Sequence, residues 1–339
     1  MRIGHHDVGE SAPSAFIIAE VASAHEGDVD RAQAITRAAA EAGADCVKYQ
    51  IWSRDECFAS DHTQYEVFGR LEFSRAQWLQ IMGHAHSLGI SIAADVDDVA
   101  STQLALEGGA ELLKIRTTNL AHHELLEVAA RSGRPIGLAT GASTPEEITR
   151  GLDVLVKHGA RDVVLMHGFQ AFPTTAADTH LRSLSQLRQQ FGMLVGYADH
   201  ADGDSPLAYL LPAAALAAGA CMIEKHITID REEQTEDFES SLNGPQFKIM
   251  VDQLKQVTQA LGTAVHDLTE AEHAYRARFK KSLVSRCEIT IGQTVTADML
   301  AFKIGARLGI AIDQADVIVG ATAAVDIAAD SIIQRDMVR

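Results

Sequence analysis

The apolar runs of this chain repeatedly end in side chains that bind anions, bind metals or move protons. Read in order, the endings are Glu20, Lys48 with Gln50, Asp95, Lys114 with Arg116, Thr140, His167, Asp199-His200 and Glu224-Lys225-His226. Lys48 and Lys114 offer point charges for a phosphate or carboxylate, and Arg116 offers a bidentate grip. His200 and His226 close two successive runs, so their imidazoles can share one divalent ion such as Mn2+, Fe2+ or Zn2+, with oxygen ligands completing the set. His25 and Glu26 follow the first run closely. Taken one at a time, each residue is more simply a surface lysine, half of an ion pair or a hydrogen-bonded structural histidine. Taken together they share one position in the repeat, and ionisable groups gathered on one face mark sites. The chemistry they suggest is a phosphorylated anionic substrate plus an oxygen to be polarised.

The elements that carry them follow a repeated phrase. Glu41-Ala42-Gly43-Ala44 leads into CVKYQ, Glu107-Gly108-Gly109-Ala110 into LLKIR, Lys157-His158-Gly159-Ala160 into DVVLMH, and Ala217-Ala218-Gly219-Ala220 into CMIEKH. Each phrase follows an amphipathic stretch, with Gly at a helix C′ position and then a short apolar run fit for a buried parallel strand. Further strands are expected at 16–19, 90–94, 135–139 and 193–197. Helices are expected at 30–41, 75–88, 100–107, 122–132, 145–158, 179–190, 206–218 and 245–261. Eight strands and eight helices in roughly 260 residues point to a (β/α)8 TIM barrel, whose site lies at the strand C-termini. A doubly wound open sheet would show a glycine-rich phosphate loop after its first strand, where this chain reads AEVASAHEG. Beyond about residue 270 the pattern turns to short β segments, which reads as a small β-rich domain. The expected division is a barrel over 1–265, a linker over 266–280 and the small domain over 281–339.

Composition narrows the partners. There are 29 Lys and Arg against 46 Asp and Glu, a formal net charge of −17. That leaves no general electrostatic footprint for nucleic acid or an anionic membrane. No apolar run is long enough to span a bilayer. The four cysteines, Cys46, Cys57, Cys221 and Cys287, form no CxxC pair, and a cytoplasmic setting is expected.

Eight phrases place a resemblance: IIAEVASAHEGD (17–28), GADCVKYQ (43–50), LLKIR (112–116), GRPIGLATGAST (133–144), FPTT (172–175), VGYADHADG (195–203), IEKHIT (223–228) and EDFESSLN (236–243). On these the chain resembles the sialic acid synthase family, and KKSLVSRCEITIGQTVTADML resembles its antifreeze-like (SAF) domain. The resemblance implies phosphoenolpyruvate condensing with the aldehyde of an aldose, N-acetylmannosamine or a related sugar, to give a nonulosonic acid and phosphate. It also implies a divalent metal, Mn2+ first and Mg2+, Co2+, Fe2+ or Zn2+ as alternatives, and a domain-swapped homodimer. On that basis His200 and His226 are the expected metal ligands, and Glu20, Glu224 and Asp237 the catalytic carboxylates. Substrate contacts are expected from Lys48, Gln50, Lys114, Arg116, His167, Gln170, Asp199 and Arg307.

The chain departs from the family pattern at Ala24-His25, Ala93-Ala94-Asp95, Arg116-Thr117-Thr118-Asn119, His167-Gly168-Phe169-Gln170 and Ala198. In the SAF domain Ile304 stands where the family carries an arginine, and Arg307 is the nearby candidate to replace it. These changes fall on sugar-facing and loop positions, so the expectation is retained condensation chemistry with an altered acceptor. Two other functions fit less of the pattern. One is a metal-dependent or Schiff-base sugar-acid aldolase using Lys48 or Lys114. The other is a carbohydrate-binding homologue without catalysis, against which the intact histidine pair argues.

Overall fold

The computed structural model describes residues 1–9, 12–168, 171–262 and 267–339. Its contacts divide the chain into two compact units, Met1–Gly262 and Thr263–Arg339.

In the first unit eight parallel strands close on themselves. They are β1 (Phe16–Glu20), β2 (Cys46–Ile51), β3 (Ser91–Val96), β4 (Leu112–Ile115), β5 (Ile136–Ala139), β6 (Val163–His167), β7 (Leu194–Asp199) and β8 (Ala220–Thr228). Each pairs with its successor, and β8 pairs with β1, so no edge is left open. Helices α1 (Val29–Ala42), α2 (Arg75–Ser87), α3 (Val99–Glu107), α4 (His123–Arg131), α5 (Pro145–Lys157), α6 (Arg182–Phe191), α7 (Leu207–Ala217) and α8 (Gly244–Leu261) surround them. The fold is the expected TIM barrel. The Gly-Ala phrases work as read: Gly43, Gly109, Gly159 and Gly219 have φ of 83°, 82°, 100° and 101°, a region only glycine enters without strain. Asp28, Ser74, Asp98, Thr144 and Asn243 cap helix starts with their side chains.

Strand alternation sorts the side chains into two layers. Ile17, Val47, Tyr49, Ile92, Leu113, Leu165, Val195 and Ile223 face the helices in one continuous core. Phe16, Ile18, Cys46, Ala93, Leu112, Val164, Met166, Ala198 and Met222 fill the barrel interior. An N-terminal hairpin, Arg2–Ile3 with His6–Asp7, adds Ile3 to that inner cluster, joined by Val8.

Some elements differ from expectation. The segment after β2 forms two short helices, Arg54–Cys57 and Tyr65–Leu71, too short for a periodicity to show. Helix α6 starts at Arg182 rather than 179, because Ala176–Asp178 make a separate 3-10 turn and His180 takes a φ of +46°. A ninth short strand, β9 (Ser241–Asn243), pairs with the end of β8, with His226 opposite Ser241.

In the second unit α9 (Glu270–Phe279) occupies most of the stretch read as a linker. Strands β10 (Ser282–Ser285) and β11 (Leu300–Lys303) pair antiparallel over a core that includes Leu283, Ile289, Val295, Ile310 and Ile333. Among the described residues no helix is long and apolar enough to cross a membrane.

The inner layer leaves little slack at β7. A Cβ on Gly196 would lie 2.4 Å from Met166 Sδ and 3.1 Å from the Met222 carbonyl oxygen. Gly196→Ala is therefore expected to cost about 1–3 kcal/mol by overpacking, measured by urea denaturation; an unchanged midpoint would show that the interior has room.

Candidate active site

Above the apolar layers the inward-facing positions become charged, two residues further along the same strands. Ile18 is followed by Glu20, Cys46 by Lys48, Ala93 by Asp95, Leu112 by Lys114, and Met222 by Glu224 and His226. The register sets Glu20 beside Lys48, Asp95 beside Lys114, and His226 beside Glu20. These groups floor a cavity of about 290 Å³ whose wall includes Ser23, Gln50, Gln64, Arg116, Thr117, Phe172, His200, Glu236 and Asp237.

Nearly all the floor charges are buried and paired. Lys48 Nζ lies 2.6 Å from Asp95 Oδ2 and 3.0 Å from Glu224 Oε1, and also bridges to Glu20. Lys114 Nζ lies 2.6 Å from the same Glu224 oxygen. Burial by itself would raise the Glu224 carboxyl; Lys114 and Lys48 outweigh it and hold that group well below the usual carboxylate range. For Lys114 burial opposes the charge, but Asp95 and Glu224 prevail and keep the ammonium protonated. Nearer the mouth, Arg116 donates to Asp97 at 2.8 Å and Asn119 to the same carboxylate at 2.7 Å. Asp237, at the mouth, is pushed up by burial and accepts a hydrogen bond from Ser23 N at 3.2 Å.

His200 and His226 face each other with ring centroids 5.3 Å apart. Burial lowers His200 to about 4, and lowers His226 well below its ordinary value, with His200 adding to the effect. Both imidazoles are thus neutral at pH 7, the form that binds metal. The Nδ1 of each is buried without a hydrogen-bond partner among the described residues. The pair fits a divalent ion as two of its ligands. Among the described residues no group of three or more His, Cys, Asp or Glu is arranged to hold one.

The cavity therefore gathers Glu20, Lys48, Gln50, Lys114, Arg116, His200, Glu224, His226 and Asp237. Two expected substrate contacts do not join them. Asp199 and His167 fall on the outward-facing set of their strands, with Tyr197 and Leu165. Asp199 accepts from Lys225 Nζ at 2.7 Å and from Tyr197 Oη at 2.8 Å, in a fully buried pair behind the barrel wall. His167 Nε2 is 2.9 Å from the Thr179 carbonyl oxygen and borders a second pocket beside α5 and α6. In each case the residue beside a functional one points the opposite way, which period-two counting from Met166 and Ala198 reveals. Gln170 lies outside the described residues, and Arg307 is an exposed residue of the second unit. Asp95 is a further member of the floor beyond the expected site residues, and the same counting from Ala93 reaches it.

Known proteins resemble this chain over most of its length. The NeuB family model matches residues 35–266. The chain belongs to the NeuB family. Its residues 280–339 match the SAF domain. An uncharacterized protein of Methanocaldococcus jannaschii is 30% identical over 303 residues, 89% of this chain and 88% of that protein. The N,N'-diacetyllegionaminic acid synthase of Campylobacter jejuni is 29% identical, over 85% of this chain and 90% of its own. The crystal structure of the N-acetylneuraminic acid synthetase of Leptospira borgpetersenii superposes with a TM-score of 0.75 at 28% identity, covering 81% of this NeuB-family chain and 95% of that one.

The outward-facing pair has its own test. Asp199→Asn leaves the Lys225 ammonium buried without its counter-charge, and a loss of roughly 3–5 kcal/mol in unfolding free energy is expected. Equilibrium denaturation of the variant measures it; a loss below about 1 kcal/mol would mean that solvent reaches Lys225.

Proposed function

We propose that this protein condenses phosphoenolpyruvate with the aldehyde of an aldose, N-acetylmannosamine or a related sugar, releasing a nonulosonic 2-keto-3-deoxy acid and inorganic phosphate. One observation carries the reading: two buried lysines from β2 and β4 meet at a single Glu224 oxygen, in the same cavity as the facing imidazoles of His200 and His226. Relatives named as legionaminic acid, pseudaminic acid and N-acetylneuraminate-9-phosphate synthases support it.

In this reading Lys48 and Lys114 hold the phosphate and carboxylate of phosphoenolpyruvate as point charges. The sugar enters from the mouth, where Gln50, Arg116 and Asp237 meet its hydroxyls. His200 and His226 would hold a divalent ion, Mn2+ first, and the chemistry it would supply there is Lewis-acid polarisation of the aldehyde oxygen. C3 of the enol attacks the aldehyde carbon as the C2–C3 π pair forms the new bond. The aldehyde oxygen takes a proton, for which Asp237, kept toward its protonated form by burial, stands at the mouth. Water adds to the electron-poor C2, and ionised Glu224 is placed to steer it, with Glu20 beside it. The C2–O bond to phosphorus then breaks and phosphate leaves as the ketone forms. The work of the protein is juxtaposition and charge placement. The exposed Phe302, Ile304 and Leu308 of the SAF domain suit pairing in a homodimer.

The test is phosphate release from phosphoenolpyruvate with Mn2+ and a panel of aldoses. Turnover with at least one aldose is expected, lost on chelation and restored by the ion. His226→Ala should lower it on the order of 10²-fold or more. Borohydride with pyruvate should trap no adduct on Lys48 or Lys114, whose ammoniums are engaged by carboxylates. No phosphate release with any aldose, or a trapped adduct, would defeat the reading.

A further inference from the structure

The floor of the cavity holds more negative charge than an anion site needs. Two ammoniums, Lys48 and Lys114, are answered by three carboxylates, Glu20, Asp95 and Glu224. The only other cation lining the cavity among the described residues, Arg116, is engaged by Asp97. Any arriving anion therefore meets lysines that are already neutralised, and must share or replace an existing partner.

The three carboxylates differ in what they do. Glu224 bridges both lysines through one oxygen, so it is the hinge of the pair. Glu20 pairs with Lys48 and also accepts from Ala22 N at 2.7 Å, which ties it to the loop after β1. Asp95 pairs directly with Lys48 alone and acts on Lys114 only through its charge. It stands on β3, between the strands that carry the two lysines, with Gln50 and Lys114 as its register neighbours. Its side chain is 4% exposed, one oxygen on Lys48, while Oδ1, like Glu224 Oε2, is buried without a hydrogen-bond partner among the described residues. A buried carboxylate oxygen left bare is costly, and Asp95 is one of the residues that line the cavity. Lys48 would keep Glu20 and Glu224 as partners if Asp95 were neutral, although burial works against its charge and Asp95 is first among the groups that support it.

We propose that Asp95 is a specificity-determining residue of this anion site, a built-in competitor for Lys48 that weakens binding of phosphate-bearing ligands. A lone inorganic phosphate gains too little from one lysine to displace it. A ligand carrying both a phosphate and a carboxylate engages Lys48 and Lys114 together, and so overcomes the competition. Released phosphate would then leave the site readily, because Asp95 returns to Lys48. This inference rests on the phosphoenolpyruvate reading of the cavity.

The experiment is calorimetric titration of the full chain with phosphoenolpyruvate and, separately, with inorganic phosphate, for the wild type, Asp95→Asn and Asp95→Ala. Removing one like charge beside a bound anion should tighten both ligands in both variants, inorganic phosphate by about tenfold or more and by a larger factor than phosphoenolpyruvate. Steady-state kinetics should show the KM for phosphoenolpyruvate falling while the KM for the aldose stays unchanged, a split that general loosening of the fold would not produce. The Asn variant keeps the shape of the side chain and the Ala variant removes it, so a folding defect in one leaves the other to decide. Binding that is unchanged or weaker in the folded variants would overturn the role of Asp95. If the wild type and both variants all fail to bind phosphoenolpyruvate, the reading of the cavity itself falls, and the inference with it.

Discussion

Everything at the open end of this barrel depends on one buried ionic cluster. Lys48 sits among Glu20, Asp95 and Glu224, and Lys114 shares the Glu224 oxygen. None of these charges could stand in the barrel alone, because desolvating a single ion costs several kcal/mol that only close partners offset. Together they hold one another in place, and four strands plus β8 are bound by the need to keep them in register. The cluster is consequently both a structural element and a preorganised electrostatic site. Its charges are assembled before any ligand arrives, so the lysines need not be gathered from solvent when charge develops.

The histidine pair adds a second kind of chemistry to the same space. His200 and His226 end adjacent strands, and burial keeps both neutral. Neutral imidazoles thus stand next to paired ammoniums in one cavity. The mouth is different again. Asp237 comes from the loop between β8 and β9, and that loop is held by Arg231, which donates to Phe238 O at 2.5 Å and to Ser241 O, and by Ser240 Oγ, which donates to His200 O at 3.0 Å. The loop that carries an acid to the mouth is thus fastened to the strand end that carries His200.

Much of this was legible in the chain. The Gly-Ala phrases and the charged strand ends required a repeating βα unit, since positive φ at Gly43, Gly109, Gly159 and Gly219 needs glycine and buried strands need apolar runs. The strand-end rule collected Lys48, Lys114, Glu224, His200 and His226 because a parallel barrel opens all its carboxyl ends on one side. The rule was too generous at two positions. Asp199 and His167 satisfy it by location along the strand yet point outward, because side chains alternate and only one of two neighbours can face the interior. Asp199 serves Lys225 there, which burial disfavours in its charged form.

The sequence by itself determined the barrel, the second domain and the set of ionisable residues at the strand ends, because local propensity and period-two patterning encode them directly. Tertiary structure alone decided which of those residues share a cavity and how they pair. That Glu224 bridges lysines from β2 and β4, and that Asp95 presses on Lys48 with one oxygen left bare, follows from register and barrel closure. Those are relations between strands far apart in sequence, and no local pattern records them.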